Sequence, residues 1–367
     1  MNWIFVILLF LSLLSNDPVN INTADKQTLQ TLPGIGPDKA AGIIEYRNRY
    51  GPFGDISELE YVTGISRGTI TSLEDMICTD SSLVPKPDTL HWMPEVDSLL
   101  SPYLVASYLD VGQGDAILLQ ATGGGTMLFD GGPDGGGAIE PSVVFRLRKM
   151  NVDTIDILAF SHPHADHIGG LAAVIRNFTV LKVLDPGMSF ASWVYEDLLN
   201  SIADYGCEYG FLEQGMTFQL SPFVTVTVVS VGSNETDLNI NENSAIIRIT
   251  CGNFSTLLTG DMEEGLERTL TSGALPVTVL KVPHHGSLTS IFPPYLRKLG
   301  PQVAIFSAGR NNSFGHPHPF VIEIYSNMGS EILRTDTQGT IVVQTDGEVF
   351  SISTLTKTFN PGTTIEN

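Results

Sequence analysis

The segment Ser161–His167, with the sequence SHPHADH, constrains this chain more than any other feature. It brings three imidazoles and a carboxylate into six residues, directly after the apolar run Ile155–Phe160. Neutral imidazole and carboxylate are ligands that suit Zn²⁺, Mn²⁺ or Fe²⁺. Because each unpaired polar group in a core carries a desolvation cost, so dense a polar cluster is not expected as ordinary packing. The segment is therefore predicted to be the ligand loop of a metal centre.

The spacing within this loop indicates two metal ions. His162 and His164 lie two residues apart, so in an extended segment both rings point to one side. Asp166 and His167 are adjacent and are expected at the entry to the next helix, facing a second point. One short loop can therefore hold two divalent ions, Zn²⁺ or Mn²⁺, side by side.

The other histidines follow the same pattern. Seven of the eight fall in three clusters, at 162–167, 284–285 and 316–318, and each cluster lies at the end of a strand-like apolar run. Chance grouping of surface or core histidines is the alternative, but chance would scatter them along the chain. The clusters therefore favour a metal centre.

The charge of the chain limits its partners. Forty acidic against nineteen basic side chains leave a formal net charge of −21. Such a field repels phosphate polymers at long range. Any nucleic-acid function must overcome this repulsion with local cations, and bound metal is the obvious candidate.

Residues 1–18 are predicted to be a signal peptide or an N-terminal anchor. The apolar run Trp3–Leu14 is twelve residues long, which is too short to cross a bilayer that needs about 20. Its length fits the apolar region of a signal peptide, although no Lys or Arg precedes it and no A-x-A site follows. A buried N-terminal helix is the alternative. The expectation is a secreted or extracytoplasmic protein that this segment can tether.

Residues 19–80 contain the same unit twice, a helical pattern followed by a glycine turn and a second helical pattern. The turns are Leu32–Pro37 (LPGIGP) and Thr63–Ser66 (TGIS). With the sequences VNINTA and IEYR, this segment closely resembles the helix-hairpin-helix domain of the ComEA family of DNA-uptake proteins. The resemblance implies DNA as a partner, because in that family the hairpin amides bind phosphate as helix N-termini do.

By this resemblance, the phosphate-binding amides would be those of Gly34, Ile35 and Gly36, with Lys39 as a supporting cation. The second hairpin departs from the pattern, since Ser66 stands where glycine is expected. The segment also carries five basic and nine acidic side chains, whereas a DNA-binding domain is usually basic. A protein-interaction or spacer module is therefore the alternative.

Residues 81–102 contain four prolines among polar residues and are predicted to be a linker. Strand-like and helical patterns alternate through residues 103–357, and 358–367 are predicted to be a tail. The predicted strands are Leu104–Leu109, Ala116–Gln120, Met127–Phe129, Ile155–Phe160, Leu181–Leu184, Val224–Val229, Ala245–Thr250, Ser255–Leu258, Val277–Val282, Val303–Phe306 and Ile341–Gln344. The predicted helices are 142–150, 168–177, 192–204, 263–271 and 320–328. This mixture predicts a layered α/β domain.

Five further motifs accompany the histidine loop. They are DVGQGD at 110–115, LFDGG at 128–132, LLTGD at 257–261, KVPHHGS at 281–287 and GRNNSFGHP at 309–317. Together they resemble the metallo-β-lactamase fold and, within it, the C-terminal hydrolase domain of ComEC/Rec2 competence proteins. The resemblance implies a four-layer αββα sandwich with the metal site at the edge of the two sheets.

The resemblance also implies a set of six ligands: His162 and His164 for one metal, Asp166 and His167 for the other, Asp261 as the bridge, and His284 to complete a shell. Many members of the superfamily have a further ligand histidine before the bridging aspartate. None occurs here between His167 and His284. Two alternatives follow: the first metal is loosely held, or His285 substitutes for the missing ligand.

Other residues are expected around the metals. Asn243 and Ser244, in the sequence NENS, resemble a ComEC-type motif and are expected to line the site. Asp130 ends its strand and is expected to support a ligand histidine rather than to bind metal. The glycine-rich segment Gly131–Gly137 lacks the GK[ST] ending of a phosphate-binding loop, so no nucleotide cofactor is expected.

The predicted chemistry follows from the metals. A bound water with a pKa of about 7 supplies hydroxide at neutral pH, and paired metals stabilise the charged oxygens of a phosphodiester. Asp166 is expected among the catalytic residues, and His316 or His285 is expected to protonate the leaving oxygen. Ser287 and Asn312 are expected to hold the phosphate. For His316, a structural hydrogen bond is the alternative role.

The sequence therefore predicts a secreted metal-dependent phosphodiesterase, a DNase related to competence and DNA uptake, to which the hairpin domain presents nucleic acid. One alternative is an envelope-associated phosphodiesterase that acts on cell-envelope phosphoesters. Another is a non-catalytic, DNA-binding competence accessory with a structural metal site, although structural sites are usually closed and mononuclear.

Overall fold

The computed structural model describes residues 18–80, 91–92, 102–135, 141–232 and 239–355. Residue contacts divide these into two compact units. The smaller takes in residues 18–80 with two short segments, Thr271–Gly273 and Pro293–Lys298, and the larger contains the rest. Most of the predicted signal segment and the whole predicted tail lie outside the described residues. No described helix is both long enough and apolar enough to span a bilayer.

The smaller unit is built from short helices around two glycine turns. Its strands β1 (Val19–Asn20) and β2 (Ile77–Cys78) pair in parallel and join the two ends of the unit. Its helices are α1 (Lys26–Leu29), α2 (Pro37–Tyr50) and α3 (Arg67–Leu73), with a 3₁₀ helix at Ile56–Tyr61. Helix α1 begins after Asp25, because the Asp25 carboxylate accepts a hydrogen bond from the Thr28 N–H at 2.8 Å.

The larger unit contains a nine-stranded and a seven-stranded sheet. In spatial order, the first sheet consists of β3 (His91–Trp92), β18 (Val349–Leu355), β17 (Thr340–Thr345), β4 (Leu104–Tyr108), β5 (Ile117–Ala121), β6 (Thr126–Phe129), β7 (Thr154–Ala159), β8 (Thr179–Asp185) and β9 (Glu208–Phe211). The second consists of β10 (Thr217–Ser221), β11 (Val224–Ser230), β12 (Ile246–Cys251), β13 (Phe254–Leu258), β14 (Val279–Lys281), β15 (Val303–Phe306) and β16 (Glu331–Arg334).

Each sheet is part antiparallel and part parallel. Strands β6 to β9 are parallel to one another, as are β13 to β16. The loops after the carboxyl ends of parallel strands are where α/β folds place their ligands. The predicted ligands follow β7, β13 and β14, so both sheets contribute to one site.

The helices of the larger unit cover the outer faces of the sheets. They are α4 (Ser142–Lys149), α5 (Ala165–Ile168), α6 (Leu171–Asn177), α7 (Trp193–Tyr205), α8 (Glu264–Leu270), α10 (Pro319–Asn327) and α11 (Thr335–Gln338). In chain order α9 (Pro293–Leu299) comes between α8 and α10, and all but its last residue groups with the smaller unit. Buried residues of α4, α6 and α7 pack on the first sheet. On the second sheet, Tyr325 of α10 packs its ring against Phe306 of β15, with 5.7 Å between centroids.

The main core lies between the two sheets. It is lined by apolar side chains from both inner faces, and the Tyr108 hydroxyl of β4 meets the Thr256 hydroxyl of β13 across it at 2.6 Å. The alternating buried pattern of β11 is typical of such a face. The layers are therefore helix, sheet, sheet and helix, and the predicted αββα sandwich is confirmed.

The structure differs from the predicted elements in several places. The predicted linker at 81–102 contains a strand, because β3 pairs with β18. Strands β9, β10, β16 and β18 were not predicted from the sequence. The predicted helix at 168–177 is broken between α5 and α6 by Gly169 and Gly170. A Cβ on Gly170 would lie 2.3 Å from the carbonyl oxygen of Gly131, so the chain approaches too closely there for any side chain.

Candidate metal centre

The histidine loop leaves β7 in an extended conformation and then enters α5. His164 is the residue before the helix, with φ −71° and ψ 149°. His162 is fully buried, and its Nε2 lies 3.0 Å from Nδ1 of His164, so the two rings meet on one side as the spacing predicts. Asp166 and His167 occupy the first turn of α5.

One group of ligand atoms gathers around Oδ1 of Asp261. This oxygen lies 3.2 Å from Nε2 of His167 and 3.4 Å from Nε2 of His285. Nε2 of His285 also lies 3.4 Å from Oδ2 of Asp166. All four residues place a ligand atom within 4.8 Å of the others. We call Asp166, His167 and His285, grouped around Asp261 Oδ1, the acidic half.

A second group gathers around Oδ2 of the same carboxylate. Oδ2 lies 3.9 Å from Nε2 of His162 and 3.7 Å from Nε2 of His284. His164 joins this group through its contact with His162. We call His162, His164 and His284, grouped around Asp261 Oδ2, the imidazole half. Asp261 thus presents one oxygen to each half, which is the geometry of a bridging carboxylate.

The two neighbouring histidines after β14 serve different halves. His284 and His285 both have left-handed backbones, with φ 47° and 54°. This conformation is uncommon for residues other than glycine and is held only where the surrounding structure imposes it. With this backbone conformation, the ring of His284 lies near Oδ2 of Asp261 and the ring of His285 lies near Oδ1. His285 therefore does not replace a ligand of the first metal, and His284 lies where the imidazole half needs a third imidazole.

The acidic half has the unpaired atoms that a cation requires. Among the described residues, Nε2 of His167, Nε2 of His285 and Oδ1 of Asp261 are buried and have no hydrogen-bond partner. At the opposite side of the rings, Nδ1 of His167 lies 3.1 Å from Oδ2 of Asp130, and Nδ1 of His285 lies 2.9 Å from the carbonyl oxygen of Ser307. Because these oxygens only accept, each Nδ1 carries a proton, and each Nε2 offers a lone pair once a metal ion displaces its own proton. The donor set fits a divalent metal ion.

A buried ion pair supports the acidic half from behind. Asp115, fully buried, pairs with the fully buried ammonium of Lys281. Oδ1 of Asp115 lies 3.6 Å from Nδ1 of His285, and Oδ2 lies 3.9 Å from Nδ1 of His167. Burial acts to raise the pKa of Asp115, but Lys281 and then His285 outweigh it and lower the pKa to about 2. One ionised carboxylate therefore faces both ligand rings.

Asp115 and Lys281 lie in two of the motifs found in the sequence, but no role was predicted for either residue. A clue was present, since Lys281 interrupts the apolar sequence VTVLKV and a lysine in a buried strand requires a partner. The identity of that partner depends on the pairing of distant loops. The Asp130 carboxylate contacts Nδ1 of His167, and its role in supporting that ligand stays a prediction.

Hydroxyls and amides support the imidazole half. Nδ1 of His162 lies 3.0 Å from Oγ of Ser161 and 3.4 Å from Oγ of Ser244. The Ser244 hydroxyl also accepts a hydrogen bond from the Asp261 N–H at 3.2 Å.

The ring of His284 is oriented by two residues outside the group. Its Nδ1 lies 2.9 Å from Oγ1 of Thr289 and 3.3 Å from Oε1 of Glu263. The predicted phosphate ligand Ser287 takes part in this arrangement, because its Oγ accepts a hydrogen bond from the Thr289 N–H at 3.3 Å. Its contact with a phosphate stays a prediction.

The two halves shift the pKa values of their histidines in opposite directions. Burial alone would lower the pKa of His285, but Asp261 and Asp115 outweigh it and raise the pKa to about 9. Asp261 and Asp130 likewise overcome burial and raise the pKa of His167 well above its usual range. Burial dominates in the imidazole half, where the pKa values of all three histidines are lowered.

Two residues expected to meet the substrate have other roles. The Asn243 side chain donates to the carbonyl oxygen of Asn239 at 3.1 Å. The Asn312 side chain donates to the carbonyl oxygens of Gly309 and His316, so both of its N–H groups are engaged within its own loop. The prediction that Asn312 holds phosphate is therefore wrong, because its amide has no free donor.

His316 lies beside both halves, with ring centroids 5.7 Å from that of His284 and 6.4 Å from that of His285. Burial, followed by the neighbouring His285, lowers the pKa of His316 to about 4. A ring with such a pKa is uncharged at neutral pH and is a poor proton donor. The role of His316 as the acid that protonates the leaving oxygen stays a prediction.

The two hairpins of the smaller unit share a backbone but differ at the helix they introduce. Gly34 and Gly64 have φ of 75° and 85°. In the second hairpin, the Ser66 hydroxyl accepts a hydrogen bond from the Thr69 N–H at 3.3 Å. In the first, Gly36 precedes α2 and no side chain caps the helix. Only the first hairpin leaves the start of its helix open to an anion.

The residues predicted to bind phosphate are not equivalent. The Ile35 side chain is buried, and its N–H donates to the carbonyl oxygen of Leu32 at 3.1 Å. The prediction that this amide binds phosphate is therefore wrong. The N–H groups of Gly34 and Gly36 make no hydrogen bond to another described residue. Lys39 Nζ donates to the Gly34 carbonyl oxygen at 2.9 Å and so lies at the hairpin.

Comparison with protein families agrees with both units. Residues 15–78 match the helix-hairpin-helix motif, and residues 109–193 match the metallo-β-lactamase superfamily. The chain therefore combines a helix-hairpin-helix domain with a hydrolase domain of the metallo-β-lactamase superfamily.

Curated relatives place the chain more closely, in the ComEC type that its motifs resemble. It is 30% identical over 266 residues to Recombination protein 2 of Haemophilus influenzae, which covers 72% of this chain and 32% of the relative. It is 27% identical over 249 residues to ComE operon protein 3 of Bacillus subtilis, covering 64% and 32%. It is 28% identical over 236 residues to Competence protein ComA of Neisseria gonorrhoeae, covering 63% and 31%. The chain spans about a third of the length of these relatives.

Proposed function

We propose that this protein is a metal-dependent phosphodiesterase that hydrolyses DNA and serves DNA uptake. The observation that carries the proposal is the Asp261 carboxylate, whose two oxygens face two separate groups of imidazoles. This arrangement fits a pair of divalent ions, which when bound supply a hydroxide nucleophile and neutralise the oxygens of a phosphodiester. A structural site would be closed and would have a single centre.

The residues of the chain have separable roles in this reaction. Asp261 holds the two halves in register, and Asp166 extends the acidic half toward solvent because about a third of its side chain is exposed. Asp130 and the Ser307 carbonyl keep the lone pairs of His167 and His285 directed at the site. Asp115, held in place by its ion pair with Lys281, directs its carboxylate at both of these rings.

DNA is proposed as the substrate on two grounds. The chain resembles proteins named for competence and recombination. It also carries a helix-hairpin-helix domain, whose first hairpin has the open amides of Gly34 and Gly36 beside Lys39. Helix N-termini of this kind bind phosphate without reading sequence. We propose that this hairpin presents nucleic acid to the hydrolase domain.

The proposed reaction is tested with the full chain, reconstituted with Mn²⁺ or Zn²⁺ and incubated with single- and double-stranded DNA. We expect metal-dependent cleavage that the double substitution His164→Ala, Asp166→Ala abolishes. His318→Gln is the matched control, because the one hydrogen bond described for the His318 side chain is to the Phe320 N–H at the start of the helix that it precedes. Absence of cleavage by the unmodified chain with either metal would contradict the nuclease.

The same assay separates the alternatives. A panel of chromogenic phosphodiesters cleaved in preference to DNA would favour an enzyme that acts on cell-envelope phosphoesters. DNA binding without hydrolysis of any phosphodiester would favour a non-catalytic accessory. For the hairpin, Lys39→Gln should weaken DNA binding at low salt and reduce its salt dependence by about one counterion.

We also propose that the protein acts outside the cytoplasm, on the basis of the apolar run Trp3–Leu14. The test is cell fractionation of the full chain and of a chain that lacks residues 1–18. Loss of extracytoplasmic enrichment on deletion is the expected result, and an unchanged distribution would contradict the proposal.

A further inference from the structure

The loop Gly309–His316, which we call the rim loop, carries two exposed side chains that the proposed reaction does not use. Phe314 is 67% exposed, and Arg310 is exposed as well. The loop follows β15 and ends at His316, beside the imidazoles of both halves. The rim loop therefore carries an aromatic ring and a cation, and it ends beside the candidate metal ligands.

The rim loop is held in one conformation from within and at its base. Oδ1 of Asn312 accepts hydrogen bonds from the N–H groups of Phe314 and His316, both at 3.1 Å. At the base, the Gly309 N–H donates to Oε1 of Gln113 at 3.1 Å, and a Cβ on Gly309 would lie 2.6 Å from the Gln113 nitrogen. The position of Phe314 is thus fixed before any ligand arrives, which reduces the entropy that binding costs.

Phe314 continues a series of rings that starts at the ligands. Its ring stacks on that of His316 with 5.9 Å between centroids and 23° between planes. His316 in turn lies 6.4 Å from His285. With one face on His316 and two thirds of the side chain exposed, Phe314 offers a free aromatic surface next to the acidic half.

Arg310 supplies the second contact. Its Nε donates to the carbonyl oxygen of Asp336 at 3.1 Å, and its guanidinium forms no ion pair with a described residue. Proteins that bind single-stranded nucleic acid combine aromatic side chains, on which bases stack, with cations along the backbone. The net charge of −21 repels a nucleic acid, so stacking is expected to contribute more to binding than electrostatic attraction, because stacking does not depend on charge.

We propose that the rim loop binds one unpaired nucleotide next to the cleaved phosphate, with its base on Phe314 and its phosphate at Arg310. The proposal rests on the proposed nuclease function and adds to it a preference for single-stranded nucleic acid. In a duplex the faces of each base are covered by its neighbours, so Phe314 cannot reach them. The site reads no sequence, because every base has a face that can stack.

The test uses the full Mn²⁺-loaded chain and a short single strand with phosphorothioate linkages, which slow cleavage, and 2-aminopurine at successive positions. Stacking quenches 2-aminopurine fluorescence. We expect quenching at one position, and Phe314→Ala should abolish it and weaken binding by roughly tenfold or more, the loss of one stacked base. Phe314→Tyr keeps an aromatic ring, so it should retain both the quenching and the binding affinity.

Phe223→Ala is the matched control. Phe223 is 51% exposed and stacks on Tyr103 at 4.2 Å, but it precedes β11 at the sheet edge opposite to Asp261. We expect Phe223→Ala to leave both the quenching and the binding affinity unchanged. Arg310→Met should lower the salt dependence of binding by about one counterion without affecting the quenching.

Equal binding by Phe314→Ala and the unmodified chain would overturn the proposal, as would an equal loss in Phe223→Ala or a duplex that binds as tightly as a single strand. These outcomes are distinct from failure of the proposed reaction. If the chain cleaves DNA and Phe314→Ala binds normally, the rim-loop proposal alone fails. If quenching depends on Phe314 but no phosphodiester is cleaved, the nuclease proposal alone fails.

Discussion

The two halves of the metal centre share Asp261 but have different surroundings. Behind the acidic half lie two buried carboxylates, Asp115 and Asp130, each within 4 Å of a ligand ring. Behind the imidazole half, His162 is oriented by the hydroxyls of Ser161 and Ser244. One half is embedded in negative charge, and the other is held by mostly neutral dipoles.

This difference predicts unequal affinity for metal. Protons and metal ions are both cations that bind the same lone pairs, so the raised pKa values of His167 and His285 report a more negative potential than the lowered value of His162. The acidic half is expected to fill first and to hold its ion more tightly. Its carboxylates suit Mn²⁺, whereas a set dominated by imidazole suits Zn²⁺.

The largest expected effect comes from removing what the halves share. Asp261→Asn keeps the shape of the side chain but removes the charge that both halves use. We expect a loss of metal affinity at both halves that exceeds the roughly 10–100-fold effect of an outer supporting residue. Calorimetric titration of the metal-free chain measures the loss. Retention of one ion at unchanged affinity would show that the halves are independent.

The next effect tests the buried charge behind the acidic half. Lys281→Met leaves Asp115 unpaired in a dry environment, and breaking such a pair costs about 3–5 kcal/mol of unfolding free energy. Chemical denaturation of the metal-free chain gives this value. We expect the tighter of the two metal affinities to change as well, because the orientation of Asp115 behind His167 and His285 is lost.

A double substitution controls for the loss of packing. Adding Asp115→Asn to Lys281→Met removes the unpaired charge and should recover most of the unfolding free energy. The tighter metal affinity should stay reduced in the double variant, since the carboxylate is still missing. Full recovery of both quantities would mean that the ion pair has no part in metal binding.

A smaller effect is expected from Asp130→Asn. The Asp130 carboxylate lies 3.1 Å from Nδ1 of His167 and fixes its protonation, so its loss should lower affinity at the acidic half by about 10–100-fold. The electron paramagnetic resonance spectrum of a coupled Mn²⁺ pair would report which half empties. Loss of the weaker ion instead would contradict the assignment of halves.

The smallest effect is expected from Ser244→Ala in the imidazole half. Its hydroxyl lies 3.4 Å from Nδ1 of His162, and a neutral hydrogen bond contributes about 0.5–1.5 kcal/mol. We therefore expect the weaker metal affinity to fall by roughly threefold to tenfold and the tighter one to remain. A larger loss of metal affinity in Ser244→Ala than in Asp130→Asn would show that the imidazole half depends more on its supporting residues than the acidic half does.

The parts of the centre that sequence could predict are those encoded locally. The Ser161–His167 loop carries its ligands at fixed spacing after a strand, and Asp166 and His167 enter a helix as expected. The sequence does not show that His284 and His285 belong to different halves, because this placement depends on two consecutive left-handed residues. The Asp115–Lys281 pair brings together residues far apart in the chain.

One prediction about the site was wrong because a polar side chain forms its hydrogen bonds within its own loop. Asn312 has the residue type of a phosphate ligand, but asparagine also closes turns by bonding nearby backbone, and that local use prevailed here. In the fold, the strand Val349–Leu355 was missed although its sequence VFSISTL alternates as an exposed strand does. The strand Glu208–Phe211 is a short edge strand, for which sequence offers little pattern.

The left-handed pair His284 and His285 links metal binding to folding. Holding two such residues costs on the order of 1–3 kcal/mol each, and in the metal-free chain no ligand bond offsets that cost. Ions that bind only the folded segment recover it by mass action, so the local stability of Pro283–Gly286 becomes a function of metal concentration. Metal supply and the local stability of this turn are therefore expected to rise together.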